Sequence, residues 1–109
     1  MVFMATSRTS IAKQRAINDA AAQFGESVSA WRRAQRMTQA DIAKRVRTSI
    51  PTISRIESGD PSVSFATILS VAHTLGFLPE LVAAVDPARS DFGVAMLQRG
   101  LPQRVRRDG

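Results

Sequence analysis

The chain has 109 residues, the size of one domain with short extensions, and 44% of them are apolar, enough for a core. It carries 15 Lys and Arg against 9 Asp and Glu, a formal net charge of +6. With no cysteine and one histidine, disulfide frameworks, cysteine-ligated zinc and thiol nucleophiles are excluded, and a histidine metal cluster has no basis.

No apolar run approaches the roughly 20 residues that a membrane-spanning helix needs. Met1–Ala5 lacks the apolar stretch of a secretory signal. The expectation is a soluble, cytoplasmic, basic protein whose first partner to test is a polyanion. The charge is unevenly placed: residues 1–25 carry +2, residues 26–60 carry +3, residues 61–96 carry −2 and residues 97–109 carry +3.

Residues 1–10 are rich in Ser and Thr without a period, which reads as a frayed end. Residues 11–22, with Ile11, Ala12, Ala16, Ile17, Ala20 and Ala21, suit a helix that extends the next one backwards, with Gly25 as a weak point. Phe24, Val28 and Trp31 then form an apolar stripe, with Arg32, Arg33 and Arg36 off it, on a helix ending near Arg36. On that stripe Trp31 reads as core, and Met37 as an apolar residue before the next cap.

Thr38 reads as an N-cap, with Asp41 in the acidic place of a capping box. A short second helix follows over about 39–46, burying Ile42, Ala43 and Val46. Ser49 is the next N-cap and Pro51 falls in the first turn of a third helix, about 50–58, which buries Ile53 and Ile56. Gly59 ends it. Ser64 caps a fourth helix whose stripe is Phe65, Ile68, Leu69, Ala72 and Leu75, with His73 opposite at the surface and Gly76 as the stop. Leu78, Leu81, Val82 and Val85 suggest a short fifth helix before Asp86-Pro87. The tail holds Phe92, Val94, Met96 and Leu97, compatible with a short strand, and then the basic run Arg104-Val105-Arg106-Arg107.

The second and third helices are short, closely linked and unable to bury their own core, so they need the first and fourth as a platform. Such a pair is either an ordinary hairpin in a bundle or a DNA-reading unit. In the second case the outer face of the third helix, with its small hydroxyls and Arg55, can enter a major groove.

The strings Phe24-Gly25-Glu26, Trp31-Arg32-Arg33, Met37-Thr38-Gln39-Ala40-Asp41-Ile42-Ala43, Thr52-Ile53-Ser54-Arg55-Ile56-Glu57-Ser58-Gly59 and Ile68–Gly76 resemble the lambda-repressor/Cro-like (XRE) helix-turn-helix family. The resemblance implies an all-α, five-helix DNA-binding domain over residues 23–86. Flexible extensions would flank it at residues 1–22 (partly helical or disordered) and 87–109. It implies double-stranded DNA as partner, bound as a homodimer on a palindromic operator, with no cofactor, no metal and no small-molecule substrate. The implied DNA-binding residues are Arg36, Thr38, Gln39, Lys44, Arg47, Thr48, Ser49, Ile50, Pro51, Thr52, Ser54 and Arg55. Family members often carry Gly where this chain has Arg36 and Arg47. An Arg in a left-handed turn costs about 1 kcal/mol or more. Either the turn differs here, or a basic side chain near phosphate offsets the cost. Ile50 and Pro51 offer no side-chain donors, so readout falls to Thr52, Ser54, Arg55, thymine-methyl contact and DNA shape.

Residues 75–85 and Gln103–Arg107 resemble HipB-type antitoxins, which implies a HipA-type serine/threonine kinase toxin as partner and repression of the shared operon. On that reading Phe92, Val94, Met96 and Leu97 contact the toxin or pair as a strand between subunits. Otherwise the tail is a disordered polar end, or a basic one touching phosphate without specificity. A stand-alone or phage-type repressor without toxin, and an interaction adaptor with weak DNA binding, are the competing readings. An enzyme is disfavoured: the sequence offers no nucleophile–base pair, metal constellation or glycine-rich phosphate loop.

Overall fold

The computed structural model describes the backbone of residues 2–108 and the side chains of residues 8–100. Six helices follow one another: α1 (Val2–Ala34), α2 (Gln39–Val46), α3 (Ile50–Glu57), α4 (Phe65–Leu75), α5 (Leu78–Ala84) and α6 (Asp91–Asp108), with a 3-10 turn at Pro87–Arg89. Among the described residues there is no strand, and the fold is all-α as the sequence implies. The chain forms two compact units, residues 1–75 and residues 76–109.

In the first unit α1 runs unbroken for 33 residues, starting at Val2 rather than after a frayed stretch. Its first 23 residues contain neither Gly nor Pro, so nothing in them interrupts the helix. Gly25 is where α1 touches α3. A Cβ there would collide with the Ile56 carbonyl oxygen and lie 2.7 Å from that of Glu57. The residue that weakens the helix by propensity is the one that lets the two backbones meet.

The seam of α1 that enters the core passes through Gly25, Val28 and Arg32, at i, i+3 and i+7. Phe24 and Trp31 flank it, so Phe24 is half-buried and Trp31, expected in the core, is 41% exposed. Val28 joins Ile42 and Ala43 of α2, Ile53 and Ile56 of α3, and Val71, Ala72 and Leu75 of α4 in the core. Met37 and Val46, both expected inside, are half-buried, and His73 is exposed. On α4 the buried row is displaced from the expected stripe. Phe65 opens the helix before it reaches the core and is 71% exposed, while Val71 takes the inward place. The Gln35 side chain closes the packing by donating to the Leu75 carbonyl at 2.7 Å, which satisfies an orphan group at the end of α4.

In the second unit Asp86 caps the 3-10 turn through the Ala88 amide, at 3.0 Å. Ser90 caps α6 through the Gly93 amide, at 2.9 Å. Gly93 lies against the Pro87 carbonyl oxygen, where no Cβ fits. The expected strand over residues 92–97 is therefore wrong: Phe92, Val94, Met96 and Leu97 lie in the first two turns of α6. The N-cap serine, Asp91 in the first turn and the helix formers that follow outweigh the apolar content of this stretch. Phe92 is 75% exposed and Leu97 half-buried. The side chains of Arg104, Arg106 and Arg107 lie outside the described residues.

Candidate nucleic-acid interface

The turn between α2 and α3 is built from caps. The Thr38 hydroxyl accepts from the Asp41 amide at 3.0 Å, and the Asp41 carboxylate accepts from the Thr38 amide at 2.8 Å, a complete capping box. The Asp41 carboxyl is held below its ordinary value by those Thr38 hydrogen bonds, first the amide and then the hydroxyl. At the other end, the Thr48 amide donates to the Ala43 carbonyl at 2.9 Å, a Schellman closure. That closure puts Arg47 at φ 60° and ψ 48°, in the left-handed region. α1 ends in the same way: the Met37 amide donates to the Arg32 carbonyl at 3.1 Å, with Arg36 at φ 57°. The turn is thus not a different one. Both arginines occupy the conformation that Gly59, at φ 90°, adopts after α3.

The next cap starts α3. The Ser49 hydroxyl accepts from the Thr52 amide at 3.2 Å and lies 2.9 Å from the Thr52 hydroxyl. Pro51 sits in the first turn, where its missing N–H leaves no bond unmade. Ile50, Pro51, Ser54 and Arg55 are exposed along α3, while Thr52 is half-buried. Arg55 forms a 3.5 Å ion pair with Asp60. The Asp60 carboxyl is held low mainly by the Ser62 hydroxyl and amide, with Arg55 adding less.

Beneath this surface lies a network whose Arg32–Glu57 pair sequence reasoning missed. Arg32 grips Glu57 with a two-pronged contact, Nε to Oε2 at 2.7 Å and Nη2 to Oε1 at 2.9 Å, and its Nη1 donates to the Met37 carbonyl at 2.9 Å. Gln39, the first residue of α2, donates from Nε2 to Glu57 Oε1 at 3.1 Å. One carboxylate thus ties the end of α1, the start of α2 and the end of α3 together. Burial pushes the Glu57 carboxyl up, but the hydrogen bonds from Arg32 and Gln39 and the Arg32 charge outweigh it, and the net shift is downward. The Arg32 guanidinium is correspondingly raised, chiefly by the Glu57 hydrogen bond.

Two short helices at a tight, capped turn, carried on two longer ones, form the arrangement that presents one helix to a DNA groove. Residues 23–85 match the protein family described as "Helix-turn-helix domain". The chain belongs to the helix-turn-helix family. Neither the curated proteins nor the solved structures gave a match. Membership of the helix-turn-helix family makes the chain a DNA-binding regulator by type. The exposed cations fit that type. Of the expected DNA-binding residues, Arg36, Lys44 and Arg47 are exposed cations, and none forms an ion pair among the described residues. The three acids nearest the helix-turn-helix in sequence are engaged elsewhere: Asp41 in its cap, Glu57 with Arg32, and Asp60 with Ser62 and Arg55.

The structure divides the expected DNA-binding residues into two groups. Ser49, Ile50, Pro51, Thr52, Ser54 and Arg55 belong to the cap and body of α3. Arg36, Thr38, Gln39, Lys44, Arg47 and Thr48 belong to α2 and the turns that bound it. Gln39 is half-buried and committed to Glu57, which makes it a link between helices as well as a surface group. Two signals for the missed network were present in the sequence: an acid at the end of the third helix, and a guanidinium in the last turn of the first.

Proposed function

We propose that the chain is a sequence-specific transcriptional repressor that inserts α3 into the DNA major groove. The observation that carries this reading is the exposed row Ile50, Pro51, Ser54 and Arg55 on a helix that the Glu57 network ties to α1 and α2. Arg55 and Thr52 read base edges, Ser54 supplements them, and Ile50 and Pro51 meet thymine methyl groups. Arg36, Lys44, Arg47, and the Thr38, Gln39, Thr48 and Ser49 groups at the helix ends hold phosphates. The protein acts as a homodimer on a palindromic operator. The exposed apolar side chains Val82 and Val85, three residues apart at the end of α5, support a self-associating surface there.

Selection of bound duplexes from a random library tests this reading. The full chain is expected to enrich a palindrome, and Arg55→Ala is expected to relax selectivity at one position per half-site by about 1–3 kcal/mol. An unenriched library sinks the proposal. Unchanged selectivity in Arg55→Ala removes that residue's reading role.

Two settings for this repressor compete. The resemblance of residues 75–85 and Gln103–Arg107 to HipB-type antitoxins supports a HipA-type kinase partner and control of the shared operon. One observation favours the stand-alone repressor: residues 92–97 are helical, which removes the pairing strand and leaves the antitoxin reading only toxin contact for them. Co-purification of the full chain from its native host decides between them. A stoichiometric kinase-like partner supports the antitoxin role, and the chain recovered with DNA alone supports the stand-alone repressor.

A further inference from the structure

The end of α2, the turn after it and the second half of α4 line an open groove of about 400 Å³ within the first unit. Its volume falls in the range of about 300–1,000 Å³ typical of small-molecule sites. Arg45, Arg47, Ser70 and His73 line it with exposed polar groups, and half-buried Val46 and Leu69 form an apolar part of its wall. No carboxylate lines it. The acid of α2, Asp41, is spent on the Thr38 cap. Arg45 and Arg47 both line the groove, and a guanidinium can present paired N–H donors to an oxyanion, a geometry matched to phosphate. The Schellman closure fixes the backbone from which the Arg47 side chain leaves.

We propose that this groove binds a small phosphomonoester bearing an apolar group, and that filling it weakens DNA binding by engaging Arg47. The phosphate sits between Arg45 and Arg47 with Ser70 and His73 as further donors, and the apolar group lies on Val46 and Leu69. The coupling to DNA rests on the repressor reading above, which assigns Arg47 to a DNA phosphate; occupation of the groove does not. By linkage, a ligand that takes Arg47 away from DNA lowers DNA affinity by the same factor that DNA lowers the ligand's.

The test uses the full chain and two probes, phenyl phosphate and inorganic phosphate, at constant ionic strength, with amide shifts followed by NMR. Phenyl phosphate is expected to saturate one site with a Kd of about 1 mM or below, and about tenfold more tightly than inorganic phosphate. The shifts are expected to centre on Arg45, Ser70 and His73. Arg45→Ala is expected to weaken the probe about tenfold, with Arg45→Lys between the two. Absence of saturation, or shifts spread over every arginine, overturns the site.

Anisotropy with a selected duplex tests the coupling and separates a free phosphomonoester from DNA phosphate as the occupant. Saturating phenyl phosphate is expected to weaken DNA binding about tenfold in the wild type and not in Arg45→Ala. Arg45→Ala alone is expected to leave DNA affinity unchanged. If instead it lowers that affinity without probe and reduces the salt slope by about one, a DNA phosphate occupies the groove and the small-ligand proposal falls. A chain that takes up the probe but binds no duplex overturns both the coupling and the repressor reading, and the site stands alone.

Discussion

Replacing Arg47 with glycine separates what this residue does for the fold from what it does for DNA. Arg47 holds φ 60° and ψ 48° with its amide engaged at the end of α2. A Cβ in that region costs about 1–2 kcal/mol. Glycine removes the cost but adds roughly 0.5–1 kcal/mol of backbone entropy to the unfolded chain. The net expectation for Arg47→Gly is stabilisation by about 0.5–1 kcal/mol, a rise in Tm of about 2–8 °C for a domain of this size. DNA binding moves the other way. Loss of one phosphate contact lowers the slope of log K against log salt by about 0.9 and weakens all sequences alike. Thermal unfolding followed by circular dichroism measures the first effect, and fluorescence anisotropy at four salt concentrations measures the second. A lower Tm would refute the strain argument. An unchanged salt slope would refute the phosphate contact.

Gly25→Ala puts a methyl against the Ile56 and Glu57 carbonyls, so it is expected to destabilise by about 1–3 kcal/mol although alanine is the better helix former; urea unfolding checks the sign. Glu57→Gln leaves Arg32, whose side chain is 13% exposed, without its counter-charge and is expected to cost about 3 kcal/mol; unfolding of the single variants against the double variant Arg32→Met/Glu57→Met isolates the pair. Glu57 also sets an acid limit. Its folded pKa lies below its ordinary value of 4.5, so its contribution to stability is full above that value and is lost as pH falls through the folded pKa. A pH series of unfolding free energies is expected to fall below about pH 4.5 in the wild type and to lose this component in Glu57→Gln.

The parts of the fold legible in the sequence are those decided within a few residues. Thr38 with Asp41 and the Ser49 cap of α3 follow from neighbours three positions apart, whereas the left-handed turn at Arg47, left open between two conformations, is decided only by the structure. Ile42, Ile53, Ile56 and Leu75 follow from helical period alone. What escaped depends on distant partners. Arg32 read as a solvated charge because its partner Glu57 lies 25 positions away. Gly25 read as a defect because the α3 carbonyls that require it are equally remote. Phe65 and Trp31 carry the right period at the wrong edge of their helices, and only packing reveals the edge. Phe92–Leu97 misled by its apolar content, where the Ser90 cap and the close approach of Gly93 to Pro87 decide for helix. The groove between α2 and α4 combines residues more than 20 positions apart, none of which carries a motif by itself.

The net charge of +6 makes affinity for any nucleic acid a weak test, because a basic chain binds polyanions without reading them. The decisive measurement is equilibrium binding of the full chain to its selected duplex and to a scrambled duplex of the same composition, each over a salt series. A reading helix predicts affinity for the selected duplex at least about 10³-fold higher at physiological salt. It also predicts that the ratio persists as salt rises while both affinities fall. Equal affinities, or a ratio that vanishes with added salt, would mean that α3 contributes charge and no sequence reading.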